Sequence, residues 1–368
     1  MNIGKLMLVL TNACNLNCIY CYEKTKSVAY MKFETACYYI DEMLKNEKYH
    51  KINIYLFGGE PFLEFKLLKN ICEWTWNKIG KKTVDFYIIT NGTVLKAYQK
   101  KWLEENREKF WITLSLDGSR KSHNLNRSES FDKIDIDFFK NNWPNAGIKM
   151  TLSEITLHNL FEDIMFIHSK GLKFTDCNLA MGIDWTNENN INVFKHQMKK
   201  LYHYCVKNPD FEPPNIIRKK VGQCENLKEI KKICGAWETV FVNTDGKRYP
   251  CNYINPMCFS EEDLCKLSNI DFTRLESLED MDCYNNCYIY PLCENCYAAN
   301  YSLKGSVNIR DKSTCILKKI QAFYSASLLA EKIRRMDISN LSDSEKGIMH
   351  KNIVAIQNIC NLYGEICN

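Results

Sequence analysis

Two hydrophobic periods alternate along the first half of the chain. Short runs rich in Ile, Val, Leu, Tyr and Phe recur at Lys5–Thr11, Lys51–Phe57, Val84–Thr90, Phe110–Leu116, Ile148–Ser153 and Asp176–Gly182. Runs of that length and composition predict buried strands. The longer stretches Phe33–Leu44, Phe65–Ile79 and Leu157–Ser169 space their apolar residues as a helix does. Strand and helix in alternation predict a parallel sheet joined by right-handed crossovers. Six such units fall short of a closed eight-stranded barrel. The expected fold is therefore α/β, a partial (β/α)6 TIM-like barrel with its site at the C-terminal ends of the strands.

The pattern breaks around Asn208–Pro214, where two adjacent prolines disfavour helix. From Cys224 to Cys315 the elements are short and aromatic-rich, and periodicity is poor. Metal is expected to replace part of the missing core there. From Ile316 onward the pattern is helical again, and Ser342 with Glu345 forms a capping-box signature. The expected modules are residues 1–215, a cysteine-rich segment 216–325, and a helical tail 326–368.

Composition changes one thing. Hydrophobic and charged fractions of 45% and 25% are ordinary for a globular chain. A net charge of +5 is too weak and too evenly spread to argue for nucleic acid. No apolar run reaches the ~18–20 residues of a membrane span, and the N-terminus does not read as a signal peptide. A cytoplasmic protein without a membrane or nucleic-acid partner is expected. The abnormal quantity is 19 cysteines in 368 residues. Without a secretory signal, and with a chain long enough to bury a core, these read as metal or iron–sulfur ligands rather than a disulfide framework.

Directly after the first predicted strand stand Cys14, Cys18 and Cys21, spaced C-x3-C-x2-C. Three thiolates on one short loop hold three irons of a cubane and leave the fourth open for a ligand. The other reading is a three-Cys zinc site with Cys37 nearby. After the second strand comes Gly58-Gly59-Glu60-Pro61, after the third Thr90-Asn91-Gly92, and after the fourth Ser115-Leu-Asp117-Gly118, then His123 and Arg127. Alone, each of these is a turn signal.

Taken together, CNLNCIYC and the segments after each strand resemble the radical S-adenosylmethionine (SAM) superfamily. The resemblance implies a 4Fe–4S cluster on Cys14, Cys18 and Cys21 whose open iron chelates SAM. It places Tyr20 against the adenine, and Gly58, Gly59 and Glu60 at the methionine amino group. It adds Thr90 and Asn91 to the pocket, and Ser115 and Asp117 at the ribose or methionine end. Arg127 would pair with the methionine carboxylate, and Thr151 would face the cofactor from the fifth strand. His123 reads equally well as a structural histidine bonded to backbone.

The later cysteines begin with Cys234 and Cys251 around the hairpin signal Asp245-Gly246, then continue Cys283-x3-Cys287-x5-Cys293-x2-Cys296 and Cys315. This set resembles the C-terminal SPASM domain of the superfamily, which carries two auxiliary 4Fe–4S clusters, with the outer gaps exchanged. The resemblance implies a distal cluster on Cys283, Cys287, Cys293 and Cys315, and a nearer one on Cys234, Cys251 and Cys296. Cys224 is the preferred fourth ligand of the nearer cluster, with Cys258 and Cys265 as others and an open iron as the alternative. Zinc remains the other reading of the set. The remaining cysteines, such as Cys72 and Cys177, read as core or surface thiols.

The implied activity is that of a peptide maturase. A 5′-deoxyadenosyl radical would take a hydrogen atom from a ribosomally made precursor peptide, leading to a thioether, carbon–carbon or related crosslink. Its implied partners are that peptide and a low-potential electron donor of flavodoxin or ferredoxin type; since the first predicted strand already begins at Lys5, leader recognition is expected to need a separate leader-binding protein, a sheet edge, or no leader at all. One alternative is oxidation of a protein Cys or Ser, as sulfatase maturases perform, or modification of a small molecule. Against it stands Asn252, where that branch has an Asp acting as base. An alternative of another class is an iron–sulfur or zinc scaffold that never cleaves SAM. No residue reads as the catalytic acid or base.

Overall fold

The computed structural model describes residues 2–226, 234–337, 339 and 341–367. The chain begins with β1 (Ile3–Thr11), α1 (Phe33–Lys45), β2 (Lys51–Gly58), α2 (Phe65–Trp76), β3 (Thr83–Thr90), α3 (Ala97–Glu105) and β4 (Phe110–Ser115). It continues with α4 (Arg120–Asn126), α5 (Ile136–Asn142), β5 (Ile148–Leu152), α6 (Leu160–Ser169), β6 (Phe174–Leu179) and α7 (Glu188–Lys207). Then follow the hairpin β7 (Val240–Val242) and β8 (Arg248–Tyr249) and helix α8 (Glu261–Ser268). Short helices α9 (Leu275–Leu278), α10 (Met281–Asn286) and α11 (Tyr297–Lys304) precede the long α12 (Cys315–Arg334) and α13 (Asp343–Cys367). Among the described residues no helix is long and apolar enough to cross a membrane.

All six expected strands form, and they lie in one sheet of order β6-β5-β4-β3-β2-β1-β7-β8. β1 to β4 pair in parallel, as the crossovers require. One strand was not expected in this sheet. β7 pairs in parallel with β1 (Leu6 with Val240), so the hairpin extends the sheet past β1. The strand pattern explains the faces. Ile52, Ile54 and Leu56 of β2 are buried, as are Ile40 of α1 and Leu68 and Ile71 of α2. The alternate positions carry a stacked row of Tyr55, Tyr87 and Trp111, with centroids 4.9 and 6.3 Å apart.

The chain divides into two compact units that are discontinuous in sequence. The first comprises Met1–Met150, Ile167–Thr175 and Gly235–Phe272, and the second Thr151–Phe166, Asp176–Cys234 and Thr273–Asn368. In the first, the Asp245-Gly246 hairpin forms as expected, with Gly246 at φ +77° and its carbonyl accepting from Tyr39 Oη of α1 (3.0 Å). In the second, α12 and α13 share a core with the cysteine-rich segment: Val221, Cys224, Ile289, Ala322, Ala326, Ala355, Ile359 and Tyr363 are all buried together. β6 ends at Leu179, short of the expected Gly182. There Ala180 still donates its N–H to Leu152 O of β5 (2.8 Å), while its carbonyl accepts from Trp185 Nε1 (3.1 Å).

The capping box forms as well. Ser342 N donates to Glu345 Oε2 (2.9 Å) and Glu345 N donates to Ser342 Oγ (3.4 Å) at the start of α13. Ser342→Ala is expected to cost about 1 kcal/mol. Thermal unfolding checks this, and a Ser342→Asp variant, which keeps a capping oxygen, should retain most of the stability.

Candidate active site

The loop after β1 has no regular structure, so its backbone must find partners elsewhere. Two neighbours supply them. At the end of β2, Gly59 N donates to Thr11 O (3.0 Å) and Glu60 N to Ala13 O (2.9 Å). After β4, Ile19 N donates to Asn126 O (3.0 Å) and Asn17 N to Ser128 Oγ (2.9 Å). The loop thus presents Cys14, Cys18 and Cys21 half-buried on one short stretch. Burial pushes all three thiols up, Cys14 to about 11. Two cations oppose this. Arg127 Nη1 stands 4.0 Å from Cys18 Sγ, and Lys26, whose Nζ donates to Leu16 O (2.5 Å), acts on all three thiols.

The glycine pair has a steric cause. Gly58 adopts φ +152°, and a Cβ there would lie 2.4 Å from Thr11 O. A Cβ on Gly59 would lie 2.4 Å from Ala13 O and 3.0 Å from Cys14 Cβ. What approaches these glycines most closely is the cysteine loop itself. Glu60 is buried and fully engaged: Oε1 accepts from Phe62 N (3.1 Å) and Thr90 Oγ1 (2.8 Å), and Oε2 from Asn91 N (2.8 Å). Burial pushes its carboxyl up to about 7 against these bonds. Asn91 Nδ2 in turn donates to Asn15 Oδ1 of the cysteine loop (3.0 Å), and Asn15 Nδ2 donates to Thr93 Oγ1 (2.8 Å).

The segment after β4 forms a second buried knot. Asp117 Oδ2 accepts from Tyr20 Oη (2.5 Å), Arg127 Nε (2.9 Å) and Asn126 Nδ2 (3.1 Å), while Oδ1 accepts from Arg127 Nη2 (3.2 Å). The Arg127 and Asp117 side chains are 9% and 0% exposed, so this is a buried ion pair. The resemblance assigned Tyr20, Asp117 and Arg127 to three parts of SAM. In the structure the three bond one another beneath the cysteine loop. His123 is fully buried, with Nδ1 accepting from Asp117 N (3.3 Å) and Nε2 against Ser130 Oγ (3.1 Å). It is the backbone-bonded structural histidine.

The first unit therefore brings together Cys14, Cys18, Cys21, Tyr20, Gly58, Gly59, Glu60, Thr90, Asn91, Asp117 and Arg127. Ser115 ends β4, buried, two residues before Asp117. Thr151 lies half-buried on β5, in the second unit. Cys251 belongs to the first unit and has Cys258 as a neighbouring thiol. In the second unit the thiol of Cys315 feels Cys293 and Cys287, and that of Cys283 feels Cys315. Cys296 has Cys234 as neighbour. Cys224, the expected companion of Cys234 and Cys251, instead neighbours Cys287 within the apolar core, which pushes its thiol up to about 12. Lys26, Asn15 and Asn126 were not anticipated, because isolated polar residues in loops carry no pattern.

The donor set fits an iron–sulfur cluster. Cys14, Cys18 and Cys21 stand as three thiols on one short loop, one for each of three irons. A cubane carries its thiolates on separate irons and so spaces them more widely than a single ion does. Cations beside the thiols suit an anionic cluster.

The comparisons agree. Residues 8–136 match the Radical SAM superfamily. The chain is 23% identical to the radical SAM cyclopropyl synthase TigE of Paramaledivibacter caminithermalis, over 86% of this chain and 73% of that one. It is 28% identical to a cysteine-type anaerobic sulfatase-maturating enzyme of Clostridium perfringens, over 69% of this chain and 64% of that one. In fold it is similar to anSMEcpe solved with bound AdoMet and a Kp18Cys peptide (TM-score 0.68, 19% identity, 91% of this chain and 100% of that one). Residues 8–136 are a radical SAM domain, the chain is an enzyme, and SAM and a 4Fe–4S cluster are its cofactors.

Two outcomes test this geometry. Gly59→Ala is expected to displace the cysteine loop, so that bound iron falls while circular dichroism still reports the folded sheet. His123 adds a pH dependence. Burial lowers its pKa from 6.5 to about 4, so its stabilising contribution is complete above 6.5 and is lost as pH falls toward 4. The shift sets a ceiling of roughly 3 kcal/mol. Denaturant midpoints at pH 7 and pH 5 check this, and His123→Gln is expected to flatten the slope.

Proposed function

We propose that this enzyme matures a ribosomally made peptide by taking a hydrogen atom from one of its C–H bonds, leading to a thioether, carbon–carbon or related crosslink. Bound SAM and a reduced 4Fe–4S cluster would supply the hydrogen-abstracting 5′-deoxyadenosyl radical. Cys14, Cys18 and Cys21 would hold the cluster. Arg127 and Lys26 offset its charge, and the bonds of Glu60, Asn91 and Asn15 fix the loop that carries it. Two auxiliary clusters belong to the reading, one on Cys283, Cys287, Cys293 and Cys315 and one with Cys234, Cys251 and Cys296 among its ligands. The modules remain those read from sequence: residues 1–215, a SPASM segment 216–325 and a tail 326–368. A peptide substrate, a low-potential electron donor and a separate leader-binding protein are its partners.

The observation that favours crosslinking over sulfatase-type oxidation is Asn252. Its Nδ2 donates to Tyr22 Oη (2.8 Å) in the first unit. An amide in that position cannot take up a proton at neutral pH, so it offers no base. Sulfatase-type oxidation remains the second reading, supported by the 28% identity to the cysteine-type maturase.

The test is to incubate the anaerobically reconstituted enzyme with SAM, a reductant and the short peptide encoded beside its gene. Loss of two hydrogens from the peptide, located by fragmentation, is expected. A Cys converted to an aldehyde in a sulfatase-derived peptide, with the neighbouring peptide unchanged, would replace this reading with the second. The Cys18→Ala variant is expected to form no 5′-deoxyadenosine in either case.

A further inference from the structure

The loop after β8 gathers two thiols on a frame of its own. Cys251 is half-buried and Cys258 buried, and the thiol of Cys258 feels that of Cys251. The frame is Asn255, which is fully buried. Its Oδ1 accepts from Met257 N (2.8 Å), and its Nδ2 donates to Asn252 O (2.8 Å) and to Cys258 Sγ (3.8 Å). Both amide hydrogens are thereby used, and turning the amide round would break the bond from Met257. Its carbonyl accepts from Cys258 N and Phe259 N (3.0 and 3.1 Å), which fixes the backbone at the second thiol. The first thiol is cradled too, since Ile254 N donates to Cys251 Sγ (3.4 Å). Lys24 N and Thr25 N donate to Met257 O (2.9 and 3.0 Å), so the loop is tied to the segment that follows Cys21 in the same unit.

N–H groups aimed at sulfur separate two kinds of thiol. A metal-bound thiolate carries charge that such bonds offset, whereas a neutral thiol in the core behaves as a small hydrophobe and needs none. The expected ligands have these bonds from neighbours in sequence. The backbone of Leu16 bonds the thiol of Cys14, that of Glu23 the thiol of Cys21, and those of Ala298 and Ala299 the thiol of Cys296. Cys251 has its bond from Ile254, and Cys258 has one from a side chain that nothing else in the loop could replace. Cys224 differs. Among the described residues only its own backbone bonds its thiol, and it packs among Ile289, Ala322 and Tyr363. The donor pattern places Cys258 with the ligands and Cys224 with the core.

We infer that Cys258 is a ligand of the cluster held by Cys251, and that Asn255 is its positioning residue. The inference rests on the reading that Cys251 binds an auxiliary 4Fe–4S cluster. It puts Cys258 where the sequence favoured Cys224, and it closes the iron that would otherwise stand open. On binding, the Cys258 thiol gives up its proton to solvent and its sulfur bonds the iron as thiolate; no electron moves. A hydrogen bond to a ligand sulfur favours the more negative, reduced cluster, so Asn255 raises the potential of that centre.

The test uses the full chain, reconstituted anaerobically and read by iron and sulfide content, electron paramagnetic resonance and redox titration. Cys258→Ala is expected to lose the iron of one cluster, or to show a three-iron signal in its place, while Cys224→Ala keeps wild-type iron and signals. Cys258→Ser, nearly equal in volume, should keep the fold by circular dichroism and alter the same signal. Asn255→Ala is expected to keep the iron while the midpoint potential of one centre falls. Wild-type iron and signals in both Cys258 variants would overturn the proposal, with the ligand at Cys224 if Cys224→Ala loses the cluster and an open iron if it does not. If neither Cys258 variant folds, the Asn255→Ala titration decides, because a donor to a core thiol moves no potential; an unchanged midpoint overturns the inference. Wild-type iron and signals in Cys251→Ala would overturn the auxiliary-cluster reading itself.

Discussion

The buried pair of Asp117 and Arg127 is the contact on which the cysteine loop depends. Two charges out of water are costly unless each is bonded on every side. Asp117 meets that demand with Tyr20, Asn126 and the Nε–Nη2 edge of the guanidinium. Tyr20 lies inside the cysteine loop, and Asn126 also accepts from Ile19 of that loop through its carbonyl. Satisfying one carboxylate therefore fixes the backbone that spaces three thiols. Arg127, held by Asp117, is left with one edge toward Cys18 (4.0 Å). A lysine could not serve both ends, because it lacks the planar fork.

The sheet makes this knot possible. In parallel strands every C-terminal end lies at the same edge, so loops distant in sequence meet there. Glu60 follows β2, Asn91 follows β3 and Asp117 follows β4, and each bonds the loop after β1 or a neighbour of that loop. These strands were legible because Ile52, Ile54 and Leu56 alternate with half-buried positions over a full strand. β7 was not legible as a partner of β1. It is three residues long, and its pairing depends on a contact more than two hundred residues away in sequence.

The site residues were legible by type and position, and their roles only in part. Gly58 and Gly59 read as places where something approaches closely. The approaching atoms are Thr11 O and Ala13 O, which no local pattern encodes. Arg127 read as a partner for a carboxylate, and the carboxylate it meets is Asp117, ten residues earlier. Lys26 left no signal, since one lysine in a polar loop resembles any other, yet it bears on all three thiols. The late cysteines show the same limit. Their count and spacing mark metal chemistry, whereas the partition of Cys224 and Cys258 follows from packing. Cys224 is drawn beside Cys287 by the apolar core it shares with Ile289 and Tyr363. Cys258 lies beside Cys251 instead, where Asn255 Nδ2 donates to its sulfur (3.8 Å).

Electron count links the two halves of this reading. Taking a hydrogen atom from a C–H bond removes one electron, whereas a closed-shell product with a new bond has lost two. The second electron must leave the substrate for an acceptor. Thiols gathered in the second unit, ringed by Lys312, Lys318 and Arg310, are the chain's remaining candidates for that role.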